Sequence, residues 1–156
     1  MRLLFVCTGN TCRSPMAASL ARRLADERGP ADLVIESAGT GAHDGTTASD
    51  GALLVSMEQG DDLNDHRART LTARMVAEAD LILTMGERHL ARVRELGGAA
   101  KSHRLTDFAT HGGAARDVGD PFGGDLETYR ATREELEQAV RRVLERLAPT
   151  AATGEG

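Results

Sequence analysis

Cys7 and Arg13 stand six positions apart in the segment Cys7-Thr8-Gly9-Asn10-Thr11-Cys12-Arg13-Ser14-Pro15, a spacing suited to chemistry at phosphorus. A thiolate at Cys7 can attack a phosphoryl group. Gly9 and Asn10 tolerate positive φ, so the loop between can curl and aim several backbone amides inward. Such a nest fits one phosphate. Amides, helix dipole and Arg13 should together depress the Cys7 pKa. The planar fork of Arg13 can hold two phosphoryl oxygens and follow their charge into the transition state. The Ser14 hydroxyl can point at the sulfur and stabilise it as a leaving group. Such chemistry also needs a proton donor, later a base for water. Asp120-Pro121 lies in the Gly-rich stretch Asp117-Val118-Gly119-Asp120-Pro121-Phe122-Gly123-Gly124, a surface loop able to reach a site. On composition Asp117 is an equal candidate.

A loop of this kind works only if a strand leads into it and a helix leads out. Leu3 to Val6 is a short apolar run, read as a buried parallel strand. Ser14 before Pro15 reads as the N-cap of a helix whose apolar face is Met16, Ala17, Leu20, Ala21 and Leu24. The alternation continues. Leu33-Val34-Ile35 is a second strand, ended by Ser37-Ala38-Gly39. Ala52 to Gly60 and Thr72 to Ala79 read as helices. Leu81-Ile82-Leu83 is a third strand, Glu87 to Leu96 a helix, and His103-Arg104-Leu105 a weak fourth strand. Leu126, Tyr129, Leu136, Val140, Val143 and Leu147 form the apolar stripe of a long last helix. Asp125, Glu127, Arg133, Glu134, Arg141 and Glu145 form its solvated face. Strands alternating with helices predict an α/β fold, a parallel sheet covered on both faces, with ligands at the carboxyl ends of the strands.

The chain has 156 residues and a net charge of -5, one domain's worth of chain and a poor match for nucleic acid. Residues 1–148 are read as the domain and 149–156 as a flexible C-terminal tail. No apolar run approaches the roughly 20 residues that span a bilayer, and the apolar start breaks too soon for a secretion signal. A cytoplasmic location is expected, with no membrane partner. Two cysteines, Cys7 and Cys12, share one loop, and in a reducing compartment their use is reactive rather than stapling. No Gly-Lys-Ser/Thr occurs, which excludes an ATP-type phosphate loop. His43, His89, His103 and His111 show no metal-ligand spacing; neither metal nor cofactor is expected.

Taken together, these residues resemble the low-molecular-weight protein tyrosine phosphatase family, from Leu3 to about Leu147. Val6 to Pro15 resembles its phosphate loop, which makes Thr8, Gly9, Asn10, Thr11, Cys12 and Ser14 phosphate-binding candidates. Asp120-Pro121 resembles its general-acid motif and favours Asp120 over Asp117. Ser37-Ala38-Gly39 and Ala79-Asp80-Leu81-Ile82-Leu83 sit where the family has similar segments. The resemblance implies a four-stranded parallel sheet flanked by helices (flavodoxin-like). It also implies metal-free hydrolysis of a phosphorylated protein substrate through a phosphocysteine at Cys7, and a loop-supporting bond from His66 to Asn10.

Substrate choice turns on a few side chains. Phosphotyrosine recognition usually needs aromatic walls, and the chain offers only Phe5, Phe108, Phe122 and Tyr129, with no Trp. Phe5 is expected in the core. Phe122-Gly123 stands where typical tyrosine phosphatases of the family have two tyrosines, and Thr11 where they have an aliphatic residue. Both departures resemble the bacterial protein-arginine-phosphatase branch. A phosphoguanidinium presents N–H donors beside the phosphate, and the Thr11 hydroxyl can accept one. An N–H left unpaired in a closed site costs ~1–3 kcal/mol, enough for roughly ten- to a hundredfold discrimination. Thr11 and Phe122 are therefore the selectivity candidates, with phosphoarginine expected ahead of phosphotyrosine. Two rivals come from other classes. A thiol redox enzyme like the arsenate reductases of this fold would need resolving thiols beyond Cys12, and none exists, although Cys7 and Cys12 could form a reversible protective disulfide. A mere anion-binding module would gain nothing from Asp120, since like charges repel.

Overall fold

The structure, a computed structural model, describes residues 1–28, 30, 32–113 and 116–148. The expected tail at 149–156 lies outside the described residues. Four strands form one sheet: β1 (Arg2–Cys7), β2 (Val34–Gly39), β3 (Leu81–Thr84) and β4 (Ser102–Arg104), in the order β2-β1-β3-β4. Every pairing is parallel, with Cys7 opposite Gly39 and Val6 opposite Thr84. Successive β1 side chains point to opposite faces, and both faces are apolar. Leu3 and Phe5 pack with Met16, Leu20, Val55, Leu105, Leu136 and Val140. Leu4 and Val6 pack on the other face with Ile82, Leu71, Val76 and Val93.

The helices that cover those faces are α1 (Arg13–Arg28), α2 (Asp50–Glu58), α3 (Ala73–Glu78), α4 (Glu87–Glu95), α5 (Leu105–Ala109) and α6 (Leu126–Leu147). A 3-10 turn at Ala99–Lys101 precedes β4. Ser49, Thr72 and Asp125 cap α2, α3 and α6 by accepting from Ala52, Met75 and Thr128 N–H groups. Because β1 has β2 on one side and β3 on the other, the order in which strands are added reverses at β1. Ligand crevices form at such a switch point, beyond the strand's carboxyl end. Cys7 is the last residue of β1.

Several sequence expectations are corrected. The Ser37-Ala38-Gly39 segment does not end β2 but continues it, pairing with Phe5, Val6 and Cys7. Ser14 is not the cap of α1. The helix begins at Arg13, and the Cys12 carbonyl accepts the first bond, from Met16 N–H at 3.1 Å. Ser14 therefore sits in the first turn, and its hydroxyl is free for the sulfur. Leu105 opens α5 rather than closing β4. Arg133 is not on the solvated face of α6. It is 4% exposed and donates to the buried Asp61 carboxylate at 2.8 Å, because Asp61 also holds Arg23 and needs both cations.

Candidate active site

Residues from distant parts of the chain meet in one pocket of about 320 Å³, which Cys7, Thr8, Gly9, Thr11, Cys12, Arg13, His43, Thr46, Asp120 and Phe122 line. Asn10 and Ser14, both fully buried, lie behind it. The loop turns at Asn10, whose φ of 57° is left-handed. Asn is one of the few side-chain-bearing residues that adopt this at low cost.

Asn10 also orders the polar groups around Cys7 Sγ. Its Oδ1 accepts from Arg69 N–H at 2.9 Å, which fixes the orientation of the amide. Its Nδ2 then donates to Ser14 Oγ at 2.8 Å and to Ser37 Oγ at 3.0 Å. With that bond accepted, the Ser14 hydroxyl is left to donate to Cys7 Sγ, 2.9 Å away. Asn10 N–H reaches the same sulfur at 3.3 Å. His66 Nε2 donates to the Asn10 carbonyl at 2.6 Å. The family resemblance implies a His66–Asn10 bond, and the structure places it on the backbone oxygen. A carbonyl only accepts, so the His66 proton is on Nε2. Burial holds the His66 pKa below its usual value, although the bond to Asn10 pulls it up.

The Cys7 pKa is raised, not depressed as the motif predicts, because burial outweighs the groups that favour the thiolate. Desolvation pushes the thiol up, while the Ser14 hydroxyl, the backbone at Ser14, Arg13 and the Asn10 amide pull it down. Removing one of those stabilising groups must raise it further. In Ser14→Ala, thiolate formation should move to higher pH. The rate of iodoacetamide alkylation at neutral pH should fall roughly tenfold, the worth of a hydrogen bond to a charged group. An unchanged pH profile of alkylation would remove Ser14 from this role.

Arg13 is 7% exposed. Its Nη1 donates to the Val118 carbonyl at 3.0 Å, and its Nη2 lies 3.6 Å from Asp120 Oδ2. Its Nε is buried and has no hydrogen-bond partner among the described residues. An unpartnered buried donor at a pocket wall suits a phosphoryl oxygen. Asp120 is half exposed at the mouth, its Oδ1 accepting from Phe122 N–H at 3.1 Å. Asp117 is not among the lining residues. It accepts from Glu87 N–H at the start of α4 and pairs with Arg104, so it ties the loop to the scaffold. Among the described residues Thr11 Oγ1 has only a long contact, 3.7 Å to Cys12 Sγ, and Thr11 lines the pocket. Cys12 Sγ lies 3.1 Å from Ser49 Oγ and 3.5 Å from Tyr129 Oη. The Tyr129 pKa is pushed up to about 12, first by burial and then by its contact with Cys12. Phe122 stands exposed on the rim. Phe5 is in the core as expected, and Phe108 stacks with His103 and Arg146.

Sequence reasoning misses five participants: Ser37 and Arg69, which fix Asn10; His43 and Thr46, which wall the pocket; and His89, which bonds to Thr8 at 2.8 Å. The parallel pairing of Ser37 with Phe5 could have suggested the first. The others reach the site through loops and a helix face whose approach no local pattern encodes.

A parallel sheet whose strand order reverses beside a cysteine–arginine loop, faced by an aspartate, defines a cysteine-based phosphoryl site. The chain belongs to the family of the low molecular weight phosphotyrosine protein phosphatases, whose model matches residues 2–152. It is 40% identical over 146 residues to the protein-arginine-phosphatase of Geobacillus stearothermophilus, covering 94% of this chain and 95% of that protein. It is 38% identical over 137 residues to the low molecular weight protein-tyrosine-phosphatase PtpB of Staphylococcus haemolyticus, covering 87% and 92%. A solved structure of the YwlE arginine phosphatase, a cysteine-to-serine mutant with a phosphorylated active-site serine, matches with a TM-score of 0.88. That match has 36% identity and covers 94% of this chain and 95% of that one. The chain is thus similar to enzymes of both specificities, and it is a low molecular weight protein phosphatase. No helix among the described residues is long and apolar enough to cross a membrane.

Proposed function

We propose that the protein hydrolyses phosphoarginine on protein substrates through a phosphocysteine. The observation that carries this is the convergence of Cys7, Arg13, Asp120 and Thr11 on one pocket. Cys7 thiolate attacks phosphorus while Arg13 grips the equatorial oxygens. The P–N bond breaks, and its electron pair takes the proton of Asp120 as the guanidine leaves. Asp120, now a carboxylate, removes a proton from water. The resulting oxygen attacks phosphorus, the P–S bond breaks, and the Ser14 hydroxyl stabilises the returning thiolate. His66 and Asn10 keep the loop in shape throughout. Thr11 accepts from a guanidinium N–H, and Asp120, once it has given up its proton, can pair as a carboxylate with the departing guanidinium. Phe122, exposed on the rim, is the observation favouring the second reading, phosphotyrosine, because its ring could stack on another.

The test is kcat/KM on a phosphoarginine peptide and a matched phosphotyrosine peptide, with Cys7→Ser as blank. Phosphoarginine should be preferred by at least tenfold, roughly what one satisfied N–H provides. Thr11→Ile should shrink that ratio by a similar factor and leave aryl phosphate turnover within about threefold. A wild-type preference for phosphotyrosine overturns the substrate and leaves the thiol chemistry standing. Turnover no higher than the Cys7→Ser blank overturns the chemistry as well.

A further inference from the structure

His89, on the inner face of α4, reaches the phosphate loop from a different element than any residue given a role so far. It is 5% exposed, and its Nε2 lies 2.8 Å from Thr8 Oγ1. Its Nδ1 is buried and has no hydrogen-bond partner among the described residues. That asymmetry selects a tautomer. A proton on Nδ1 would leave a buried N–H without an acceptor, which proteins avoid more strictly than an unused lone pair. The proton therefore sits on Nε2 and is donated to Thr8 Oγ1. A doubly protonated ring would orphan the same Nδ1–H. Burial, with Arg13 and Arg88 nearby, brings the His89 pKa down to about 4 against the opposite pull of Asp117 and Asp120. His89 is neutral across the working range.

The consequence falls on Thr8. A hydroxyl that accepts one bond keeps its own proton to give, and Thr8 lines the pocket beside Cys7 and Arg13. We propose that neutral His89 is a positioning residue: it locks the Thr8 hydroxyl as an acceptor towards α4, so that the Thr8 proton is donated to a phosphoryl oxygen in the loop. The inference rests on the phosphoryl-transfer reading and adds a side-chain donor to it. The same helix start carries Glu87 N–H, which holds Asp117, while Met85 O just ahead of it accepts from Val118 N–H at 2.7 Å. One turn of chain thus braces both the loop that begins at Cys7 and the loop that carries Asp120.

The experiment is calorimetric binding of inorganic phosphate to the intact chain, with kcat and KM on para-nitrophenyl phosphate alongside. His89→Leu and Thr8→Val should each weaken phosphate binding about tenfold, as expected for a lost hydrogen bond to a charged group. The double variant should be no weaker than either single, since both remove one donor. His89→Gln, whose amide can donate from a similar place, should restore binding to within about threefold. A merely structural role predicts neither the rescue nor the non-additivity. The 15N shifts of His89 in the wild-type chain at pH 7 should show a protonated Nε2 and a bare Nδ1, a readout that survives even if a variant fails to fold. Wild-type phosphate affinity in His89→Leu, additive losses, or a protonated Nδ1 overturns the proposal. Binding in the expected pattern without any turnover overturns the reaction instead and leaves His89 in place.

Discussion

Arg13→Lys is expected to lower kcat/KM on any phosphorylated substrate by about a thousandfold, well beyond what loss of one hydrogen bond produces. The reason is that Arg13 makes two kinds of contact at once. Its Nε, buried without a partner among the described residues, is a donor left for phosphate, while Nη1 holds the Val118 carbonyl and Nη2 faces Asp120. Lysine keeps the charge but loses the fixed fork. It cannot grip a phosphoryl oxygen and tie down Val118 together, so the loop carrying Asp120, two residues on, loses its anchor. Both losses act in the transition state, so kcat should fall more than KM rises. Steady-state kinetics with para-nitrophenyl phosphate measure this directly. A loss under tenfold would show that charge alone suffices and that the fork is not the clamp.

How much of this was legible before the structure depends on whether a feature is written locally. The strand, loop and helix around Cys7 are local: an apolar run, Gly9-Asn10, then Ser14-Pro15. All three elements are present, with β1 ending at Cys7 and α1 starting at Arg13. The cap was misplaced because Ser14 satisfies the same local rule whether it caps a helix or serves a sulfur; only the position of Cys7 decides between them. The short α5 escaped because Leu105 to Ala109 is five residues, too few for a periodic pattern to show. Asp120 could be told from Asp117 only by resemblance, since composition treats them alike. The structure gives the physical difference: Asp117 is occupied by Glu87 N–H and Arg104, and Asp120 borders the pocket. Arg133 misled because charge on a helix normally means solvent, and the buried partner, Asp61, is 72 residues away in the chain. His89 was invisible for the same reason, 81 residues from Thr8. Desolvation of the Cys7 thiol is likewise a property of the packed loop, while the groups that oppose it are written in the motif.

Gly39→Ala should damage the site although residue 39 touches no substrate. A Cβ there would lie 2.3 Å from the Thr8 carbonyl, 3.0 Å from Asn10 N and 3.0 Å from Ala42 Cβ. The first two obstacles are backbone, so no side chain can swing away to make room. The neighbouring bonds leave no slack: Gly39 N–H donates to Arg69 O at 2.9 Å, and Leu71 N–H to Gly39 O at 2.8 Å. Thr40 N–H to Cys7 O and Gly41 N–H to Thr8 O, both 2.9 Å, tie the same segment to the loop that begins at Cys7. Relief therefore has to come from the loop itself, by moving the Thr8 carbonyl and the Asn10 amide that reaches Cys7 Sγ. Overpacking of this kind costs about 3 kcal/mol, a fall in Tm of roughly 6–12 °C for a chain of this size. Displacing a preorganised loop should reduce kcat/KM by about a hundredfold or more. Gly41→Ala is the matched control. Its nearest obstacle is Thr8 Cγ2 at 3.8 Å, an ordinary contact, so Tm and turnover should stay close to wild type. If thermal melts and kinetics show Gly39→Ala as benign as Gly41→Ala, the loop yields where the packing says it cannot. The small residues at the end of β2 would then be no constraint on the phosphate loop. If the two variants separate as expected, Gly39 is fixed by the loop it lies against rather than by the strand it belongs to.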